Sequence, residues 1–359
     1  MGETPELRLD GLRKSYGTVL AIDRCSLELR KGEIVALLGP SGCGKSTLLN
    51  MIAGFETPDF GTIALRGRDL TSVPPHRRNV AMVFQHYAMF PHMTVGENIA
   101  YGLKARRLDK EEIAKRVAEM VALLHLGGLE ARYPAQLSGG QRQRVAVARA
   151  LAVRPDMLLL DEAFSALDRT LREDMQLELS LLLRRLGVTT ILVTHDQREA
   201  FALADRIAIM EKGRIAQEGS PEAVYRDPQS SYVLRFLGTT NRFEGNIAGA
   251  QDAPFLAVAP GFEIPLASDK PAGTEIGIDV RAEDIHLSVE PTTIHRAAPG
   301  RVALRTFLGS QERLVVDLGG REIIVDRPVQ GRFAGIPLGE GDAVFLDFDP
   351  TLGRLATGR

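Results

Sequence analysis

A glycine-rich stretch with the pattern GxxxxGK[ST], residues 39–47, limits the folds open to this chain more than any other feature. The apolar run 33–38 before it predicts a buried strand, and residues 46–53 predict a helix. In such a turn, glycines let backbone N–H groups face phosphate oxygens at the positive end of the helix. The pattern therefore predicts a phosphate-binding loop in an α/β domain. Its members are Gly39, Pro40, Ser41, Gly42, Cys43, Gly44, Lys45, Ser46 and Thr47.

Side chains in and after this loop predict phosphoryl-transfer chemistry. Lys45 is placed to reach the terminal phosphates, and the hydroxyl of Ser46 is a ligand for Mg²⁺. Further along, an apolar strand-like run ends in Asp161 and Glu162. An acidic residue at the end of a buried strand can support the metal, and the neighbouring carboxylate can orient or deprotonate an attacking water. Downstream of a phosphate loop, this pair predicts a hydrolytic site.

A second glycine-containing turn opens a helix predicted over about residues 139–152. The start of a helix offers backbone N–H groups to an anion, and Ser138 is also a typical N-cap residue. One nucleotide hardly needs two such helix ends from one subunit, whereas a site shared between two subunits uses both. The turn comprises Leu137, Ser138, Gly139, Gly140 and Gln141.

The order of these motifs resembles the ABC ATPase cassette over about residues 5–237. The resemblance implies an ATP hydrolase coupled to transmembrane transport, with ATP and Mg²⁺ as cofactors. One departure is Ala163, where many relatives carry proline, so the rigidity of that turn is open. The residues that carry the resemblance are Tyr16, 39–47, Gln85, 137–141, Asp161, Glu162, 165–168 and His195.

The resemblance also implies individual roles. Tyr16 would stack on adenine, and Gln85 would meet the Mg²⁺ and water site. Ser138 and Gly140 would hold the γ-phosphate of ATP bound by the opposite subunit of a homodimer. Three further roles follow: general base for Glu162, communication across the dimer for Asp168 and contact with the γ-phosphate for His195. The predicted catalytic set is Glu162, His195 and Gln85, and the predicted metal set is Ser46, Gln85 and Asp161.

Residues 84–103 are rich in aromatic residues and methionine. Such residues are often plain core, but they also suit a groove that receives a partner helix. In ABC importers the matching segment receives a coupling helix of the permease, which implies contacts from Tyr87, Met89, Phe90 and His92. The resemblance further implies two permease subunits and, indirectly, a periplasmic binding protein. The ATPase would then lie at the cytoplasmic face of the bacterial inner membrane.

The texture of the sequence changes after about residue 238. Before it, short apolar runs alternate with helical patterns, typical of an α/β domain; after it, short strands lie between Gly and Pro, typical of a small all-β domain. We therefore expect an α/β P-loop NTPase domain at 1–237, with a helical subdomain at about 87–156. The expected second domain, 238–359, resembles the OB-like domain of importer ATPases through residues 240–245 and 280–285. Dimer contacts and regulation are its implied uses.

Composition limits the partners and the compartment. A formal net charge of −2 argues against a general polyanion-binding surface, and no aromatic–basic interleaving predicts nucleic-acid binding. The two cysteines, Cys25 and Cys43, form no disulfide framework, which favours a reducing compartment. The start of the chain lacks an apolar signal region, and no apolar run approaches 18 residues. We expect a cytosolic polypeptide that reaches a membrane through a partner.

Several alternatives stay open at this point. A soluble ABC protein of DNA repair or translation usually carries a long coiled coil or two cassettes, and neither is present here. A switch GTPase would need a guanine-reading Asn-Lys-x-Asp motif, which is absent, and an exporter ATPase suits the C-terminal β domain less well. For cargo, the overall resemblance leans towards spermidine and putrescine importers. Ferric iron, phosphonate, sulfate and sugar importers have very similar ATPases.

Overall fold

The computed structural model describes residues 5–164, 169–250, 253–259, 262–266, 270–290, 298–330 and 335–356. The chain divides into two compact units, Met1–Val224 and Tyr225–Arg359, and each has its own hydrophobic core. This division falls earlier than the boundary expected after residue 237. The physical reason is that the helix Ser231–Phe236 packs on the strands Glu275–Arg281 and Arg354–Ala356 of the second unit.

Strands and helices alternate along the first unit. In chain order they are β1 (Leu7–Tyr16), β2 (Val19–Leu29), β3 (Ile34–Leu38), α1 (Lys45–Ala53), β4 (Phe60–Leu65), β5 (Arg68–Asp69), β6 (Val80–Val83), α2 (Val95–Ala105), α3 (Lys110–Leu123), α4 (Gly139–Ala152), β7 (Met157–Asp161), α5 (Arg169–Leu186), β8 (Thr189–Val193), α6 (Gln197–Leu203), β9 (Arg206–Glu211), β10 (Arg214–Gly219) and α7 (Pro221–Arg226), the last of which crosses into the second unit.

A six-stranded sheet with the order β10-β9-β3-β8-β7-β6 forms the centre of this unit. Its strands pair in parallel, except for the antiparallel pair β9–β10. Every residue of β3 and β8 is buried, as expected for parallel strands covered on both faces. A second, antiparallel sheet has the order β2-β1-β4-β5. Its leucines share one core with α1, β3 and β7.

Helices α2, α3 and α4 lie between β6 and β7 along the chain, and they pack on one another. Side chains define where they begin: Thr94 and Ser138 each form a capping box, and Asp109 caps α3. Helix α4 spans the residues predicted from the sequence. These helices lie inside the range 87–156 expected for a helical subdomain.

The second unit is built from antiparallel strands. Its elements are α8 (Ser231–Phe236), β11 (Thr240–Ala250), β12 (Ala253–Ala259), β13 (Phe262–Pro265), β14 (Glu275–Arg281), β15 (Ile285–Ser288), β16 (Ala298–Phe307), β17 (Gln311–Asp317), β18 (Glu322–Pro328), β19 (Ala343–Phe348) and β20 (Arg354–Ala356). They form two five-stranded sheets, β13-β12-β11-β14-β20 and β15-β19-β16-β17-β18.

Apolar side chains from both sheets make a single core in this second unit. Phe243 of β11 packs edge-on against Phe262 and stacks against Phe348. The predicted fold class, an α/β P-loop NTPase cassette followed by a small all-β OB-like domain, is confirmed. Among the described residues, no helix has the length and apolar character needed to cross a membrane.

Candidate nucleotide site

The predicted site residues of the first unit meet at one edge of the central sheet. Leu37 of β3 and Asp161 of β7 both pair with Val193 of β8, so the three strands end side by side. The phosphate loop follows β3, Glu162 follows β7, and His195 follows β8. Parallel strands bring their carboxyl ends to a common edge, and ligands of α/β proteins bind there. Topology thus assembles groups that lie far apart in sequence.

The phosphate loop is shaped by close backbone approach. Gly44 has φ 107°, and a Cβ at this position would lie 2.6 Å from the carbonyl oxygen of Ala21. Only glycine fits such a position without displacing the backbone. Helix α1 then begins at Lys45 with no side-chain cap on its first turn. The N–H groups of that turn are therefore offered to an incoming anion.

Lys45 is folded back onto this loop. Its Nζ donates to the carbonyl oxygens of Gly39 at 2.7 Å and Pro40 at 2.9 Å, and lies 3.7 Å from the Sγ of Cys43. The side chain is only 7% exposed. A buried ammonium needs such partners, and phosphate oxygens are stronger acceptors than peptide carbonyls. The ammonium is thus held where a bound phosphate competes for it.

The Glu162 carboxylate lies between Gln85 and His195. Its Oε2 accepts a 2.8 Å bond from Nε2 of Gln85, and its Oε1 lies 3.3 Å from Nδ1 of His195. The backbone of Glu162 is left-handed, φ 46°, and its N–H donates to the carbonyl of Val193. Left-handed backbone is uncommon for a residue with a Cβ and marks functional sites. The structure thus brings the three predicted catalytic residues together.

The acidic end of β7 is electrostatically unfavourable without a cation. Burial raises the pKa of Asp161, the neighbouring Glu162 carboxylate raises it further, and Lys45 opposes both effects. The predicted metal set offers the hydroxyl of Ser46, the carboxylate of Asp161 and the side-chain amide of Gln85. These oxygen donors suit Mg²⁺, which takes one or two carboxylates together with substrate phosphates. The donor chemistry therefore fits Mg²⁺.

The second glycine turn has the geometry of an open helix end. Ser138 Oγ accepts from the N–H of Gln141 at 3.3 Å, and Gln141 Oε1 accepts from the N–H of Ser138 at 2.9 Å. This capping box satisfies two groups by itself. Gly139 and Gly140 begin α4 without side chains that could cover their N–H groups. A structural cap and an anion-binding end are compatible here.

Two further nucleotide contacts were predicted, Tyr16 and Asp168. Tyr16 ends β1 and is 45% exposed, and Nζ of Lys14 lies over its ring at 5.5 Å from the centroid. Asp168 lies outside the residues that the structure describes, as do the three residues before it.

The predicted partner contacts differ in exposure. Met89 and Phe90 are half-buried and His92 is exposed. Tyr87 is only 4% exposed, so the prediction of a surface contact is wrong for this ring. Its backbone is left-handed, φ 60°, and the periodicity of the sequence gives no sign of this conformation. Sequence reasoning also did not assign Tyr101, which is exposed and lies 4.3 Å from the ring of Phe90.

Supporting residues behind His195 were also missed. Thr194 Oγ1 donates to Oε2 of Glu199 at 2.5 Å and accepts from the N–H of Asp196 at 2.9 Å. Glu199 is buried, and that burial is the main reason its pKa rises to about 7. Asp196 in turn caps α6, so the residues on both sides of His195 are fixed. The sequence signal for this support was Glu199, an acidic residue at the third position of the short helix α6 that follows β8.

Comparison with known proteins agrees with this geometry. The family model "ABC transporter" matches residues 22–165, and the model "TOBE domain" matches residues 278–355. The dimeric post-hydrolysis ATP-binding cassette MJ0796, solved with ADP and Pi, is 32% identical with a TM-score of 0.54. It covers 60% of this chain and 98% of that one.

Curated relatives match over most of their length. The spermidine/putrescine import ATP-binding protein PotA of Acidothermus cellulolyticus is 45% identical, over 98% of this chain and 94% of that protein. The putrescine transport ATP-binding protein PotG of Escherichia coli is 51% identical, over 80% of this chain and 78% of that protein. The sulfate/thiosulfate import ATP-binding protein CysA 2 of Chromobacterium violaceum is 46% identical, over 87% and 84%. The chain therefore belongs to the ABC transporter family, as an ATP-hydrolysing subunit of the importer type.

Proposed function

We propose that this subunit hydrolyses Mg-ATP at a site closed by two copies of the chain, and that closure drives polyamine uptake through permease subunits. The observation that carries the proposal is the Glu162 carboxylate, held between Gln85 and His195 at the phosphate-loop edge. A carboxylate so held is oriented to accept a proton from a water in line with the γ-phosphate.

Each residue has a defined part in the reaction. The N–H groups of the phosphate loop and of α1 bind the phosphates, and Lys45 exchanges its loop carbonyls for phosphate oxygens. Glu162 takes the proton of the attacking water, while His195, 63% exposed on its side chain, donates to an oxygen of the γ-phosphate. Ser46, Asp161 and Gln85 would hold Mg²⁺, which would neutralise charge on the phosphates.

A second copy completes the site. The helix end at Gly139 and Gly140 is open to an anion, yet the phosphate loop of the same chain already has its own helix end. Two copies related by a twofold axis would each offer the turn to the other, which is the usual symmetry of a homodimer. The dimeric MJ0796 cassette supports this arrangement. Asp168 is proposed to carry communication across that interface.

An aromatic surface next to Gln85 suits the permease. Phe90 and Tyr101 form one ring pair, and exposed Phe55 lies 6.0 Å from the ring of Phe84. Met89 and His92 border these rings in sequence. Apolar, polarizable side chains of this kind receive an amphipathic helix. Import ATP-binding proteins are peripheral to the membrane, and we place this one at the cytoplasmic face, with a binding protein feeding the permeases.

The cargo proposal rests on relatives rather than on a cargo-binding group in this chain. Seven curated ATP-binding proteins of spermidine/putrescine or putrescine transport are 42–51% identical to this chain. The sulfate/thiosulfate relative falls inside the same range of identity. Since the ATPase contacts nucleotide and permease, identity reflects cargo only through the permease. Ferric iron, phosphonate, sulfate and sugars are therefore the comparison cargoes.

An uptake panel in a strain lacking the gene tests the function. Labelled putrescine, spermidine, ferric iron, phosphonate, sulfate and sugars are supplied, and rescue is attempted with wild type, Glu162→Gln or the exposed-site control Glu130→Gln. We expect loss of polyamine uptake alone, with rescue by wild type and Glu130→Gln but not by Glu162→Gln. Loss of a different cargo would overturn the polyamine proposal, and rescue by Glu162→Gln would overturn the hydrolytic one.

A further inference from the structure

The segment that follows Gln85 has an unusual backbone. Tyr87 and Ala88 are both left-handed, with φ values of 60° and 43°. Residues with a Cβ adopt this conformation at a cost, and two in succession persist only when their surroundings hold them. The N–H of Tyr87 donates to the carbonyl of Phe84, and that of Ala88 to the carbonyl of His86. These local bonds leave the carbonyl groups of both strained residues to other partners.

Arg149 takes both of those carbonyls. Its Nη1 donates to the oxygen of Ala88 and its Nη2 to the oxygen of Tyr87, each at 2.7 Å. The guanidinium also lies 5.5 Å from the ring centroid of Phe90. The planar fork of arginine binds two acceptors at once, which lysine cannot reproduce. One side chain therefore fixes the strained turn and touches the aromatic surface beside it.

The far end of the segment is held by a different helix. Asn98 of α2 is fully buried, accepts from the N–H of Phe90 and donates to the carbonyls of Phe90, Met93 and Thr94. Its bonds fix the exit of the segment to α2. The entrance of the segment, next to Gln85, is joined to α4 by Arg149. Among the described residues, no other side chain forms a hydrogen bond to Tyr87 or Ala88.

Helix α4 is the element that begins at the second glycine turn. Arg149 lies ten residues after Gly139, about 15 Å along a continuous helix at 1.5 Å per residue. A helix moves as a rigid element, so displacement of its first turn is carried to the position of Arg149. The fork of Arg149 passes that displacement to the turn at Tyr87 and Ala88.

We infer that Arg149 is a positioning residue that makes the docking segment, residues 86–93, move with helix α4 when ATP engages the glycine turn at its start. The inference rests on the proposed function, since it assumes that ATP engages this turn and that residues 86–93 face the permease. Arg149 touches neither nucleotide nor the reacting atoms. Its role is to keep nucleotide state and docking geometry linked.

The chain offers a matched control for this inference. Arg116 of α3 also binds two backbone carbonyls of the α4 region, that of Ala152 through Nε at 2.9 Å and that of Leu151 through Nη2 at 2.7 Å. The chemistry of the two forks is alike, but within the described part of the chain the hydrogen bonds of Arg116 reach α4 and not residues 86–93. Removing it weakens the same helix without cutting the link.

Hydrogen exchange of the full-length chain tests the link. The proteins compared are Glu162→Gln alone and Glu162→Gln combined with Arg149→Met, Arg149→Lys or Arg116→Met. For each, exchange of the amides of residues 86–93 and 138–141 is measured with and without Mg-ATP. We expect ATP to slow exchange in both segments by about two- to tenfold, the effect of stabilising one hydrogen bond. Arg149→Met keeps the effect at 138–141 and loses it at 86–93, Arg149→Lys loses part of it, and Arg116→Met keeps both.

Retention of the ATP effect at 86–93 in Arg149→Met, or its equal loss in Arg116→Met, overturns the inference. If Arg149→Met does not fold, Arg149→Lys decides by the same comparison. A separate arm places a cysteine at His92 in the assembled importer and measures cross-linking to the permease. Absence of a cross-link with Arg149 intact refutes the proposed docking, while a cross-link whose yield depends on ATP only when Arg149 is present supports the inference.

Discussion

At the scale of single residues, the site depends on groups held by neighbours that do no chemistry themselves. Glu162 is fixed by one amide and one imidazole, and Thr194 is fixed by the buried carboxyl of Glu199. Such supporting contacts decide how well a general base is oriented. They also make individual substitutions informative, because the neighbour and the reacting group can be changed separately.

The buried carboxyl of Glu199 predicts a pH dependence of stability. Burial, with the nearby Asp196 charge, outweighs the hydrogen bond from Thr194 and raises the pKa from 4.5 to about 7. The folded state therefore binds this proton more tightly than the unfolded state does. Its contribution to stability is complete below pH 4.5 and is lost as the pH rises to about 7, which amounts to about 3 kcal/mol.

Urea unfolding of wild type and Glu199→Gln between pH 5 and 8.5 checks this. The variant, neutral at every pH, is expected to lose less stability than wild type over that range. Glu130→Gln, at an exposed position, is the control for the same chemical change and should track wild type. Parallel pH curves for wild type and Glu199→Gln would contradict the assignment.

The two cysteines are expected to differ in reactivity. Burial raises the pKa of Cys25 to about 12, which keeps that thiol unreactive, whereas Cys43 lies in the phosphate loop beside Lys45. Alkylation of Cys43 is predicted to block ATP binding because the adduct has no room beside Lys45. Fluorescent-ATP binding after N-ethylmaleimide treatment measures this. Cys43→Ala should be protected and Cys25→Ala should not; normal binding by the alkylated wild type would refute the prediction.

At the scale of elements, the central feature is the placement of short polar segments at the ends of apolar strands. Strands β3, β7 and β8 each end in a functional group, and parallel pairing aligns those ends. The helices begin at side-chain caps, as at Ser138. Because these features are local, residues 33–53 and 137–161 could be predicted closely from the sequence.

Features that depend on long-range packing could not be predicted. Tyr87 is in a segment whose composition suits a surface groove, yet its ring is buried, its backbone is left-handed and its carbonyl accepts a bond from Arg149. Helix α8 follows the first domain's helical pattern, but it packs on β14 and β20. In both cases the deciding contacts join residues that are distant in sequence, so no local pattern contains them.

Asn98 on helix α2 tests how strongly the docking segment is fastened. Asn98→Ala removes four hydrogen bonds from a fully buried position and leaves backbone groups without partners. We expect a loss of about 2–4 kcal/mol in the free energy of unfolding. Urea denaturation measures it, with the exposed-site variant Gln136→Ala as control. A loss no larger than that of the control would show that the segment is fastened elsewhere.

At the scale of the whole molecule, the chain forms two units, and each has its own hydrophobic core. The first contains the groups assigned to nucleotide chemistry, and the second contains a buried charge network of its own. Asp279 of β14 is fully buried and pairs with Arg242 at 2.9 Å and with Arg235 at 3.6 Å. Ser231 also donates to its carboxylate. Such a network stabilises only the unit that contains it.

Asp279→Ala is therefore expected to act on the second unit. Removing this carboxylate leaves the arginines without their partner, and we expect a loss of about 3 kcal/mol from that unit. Scanning calorimetry should show one transition moving to lower temperature, while fluorescent-ATP binding is kept. Asp326→Ala, which breaks a more exposed pair with Arg313, is the milder control. Loss of ATP binding in Asp279→Ala at temperatures where the first unit is folded would contradict this division.

The oligomeric state of Glu162→Gln with saturating Mg-ATP, measured by light scattering together with the rate of phosphate release, tests whether two copies share one hydrolytic site. If Glu162 is the base of a site shared by two copies, hydrolysis falls by about 100-fold or more and the ATP-bound chain stays dimeric. Addition of Ser138→Phe to the same background should return it to a monomer. A monomeric Glu162→Gln protein at saturating Mg-ATP would contradict a site shared by two copies, and hydrolysis at the wild-type rate would contradict Glu162 as its base.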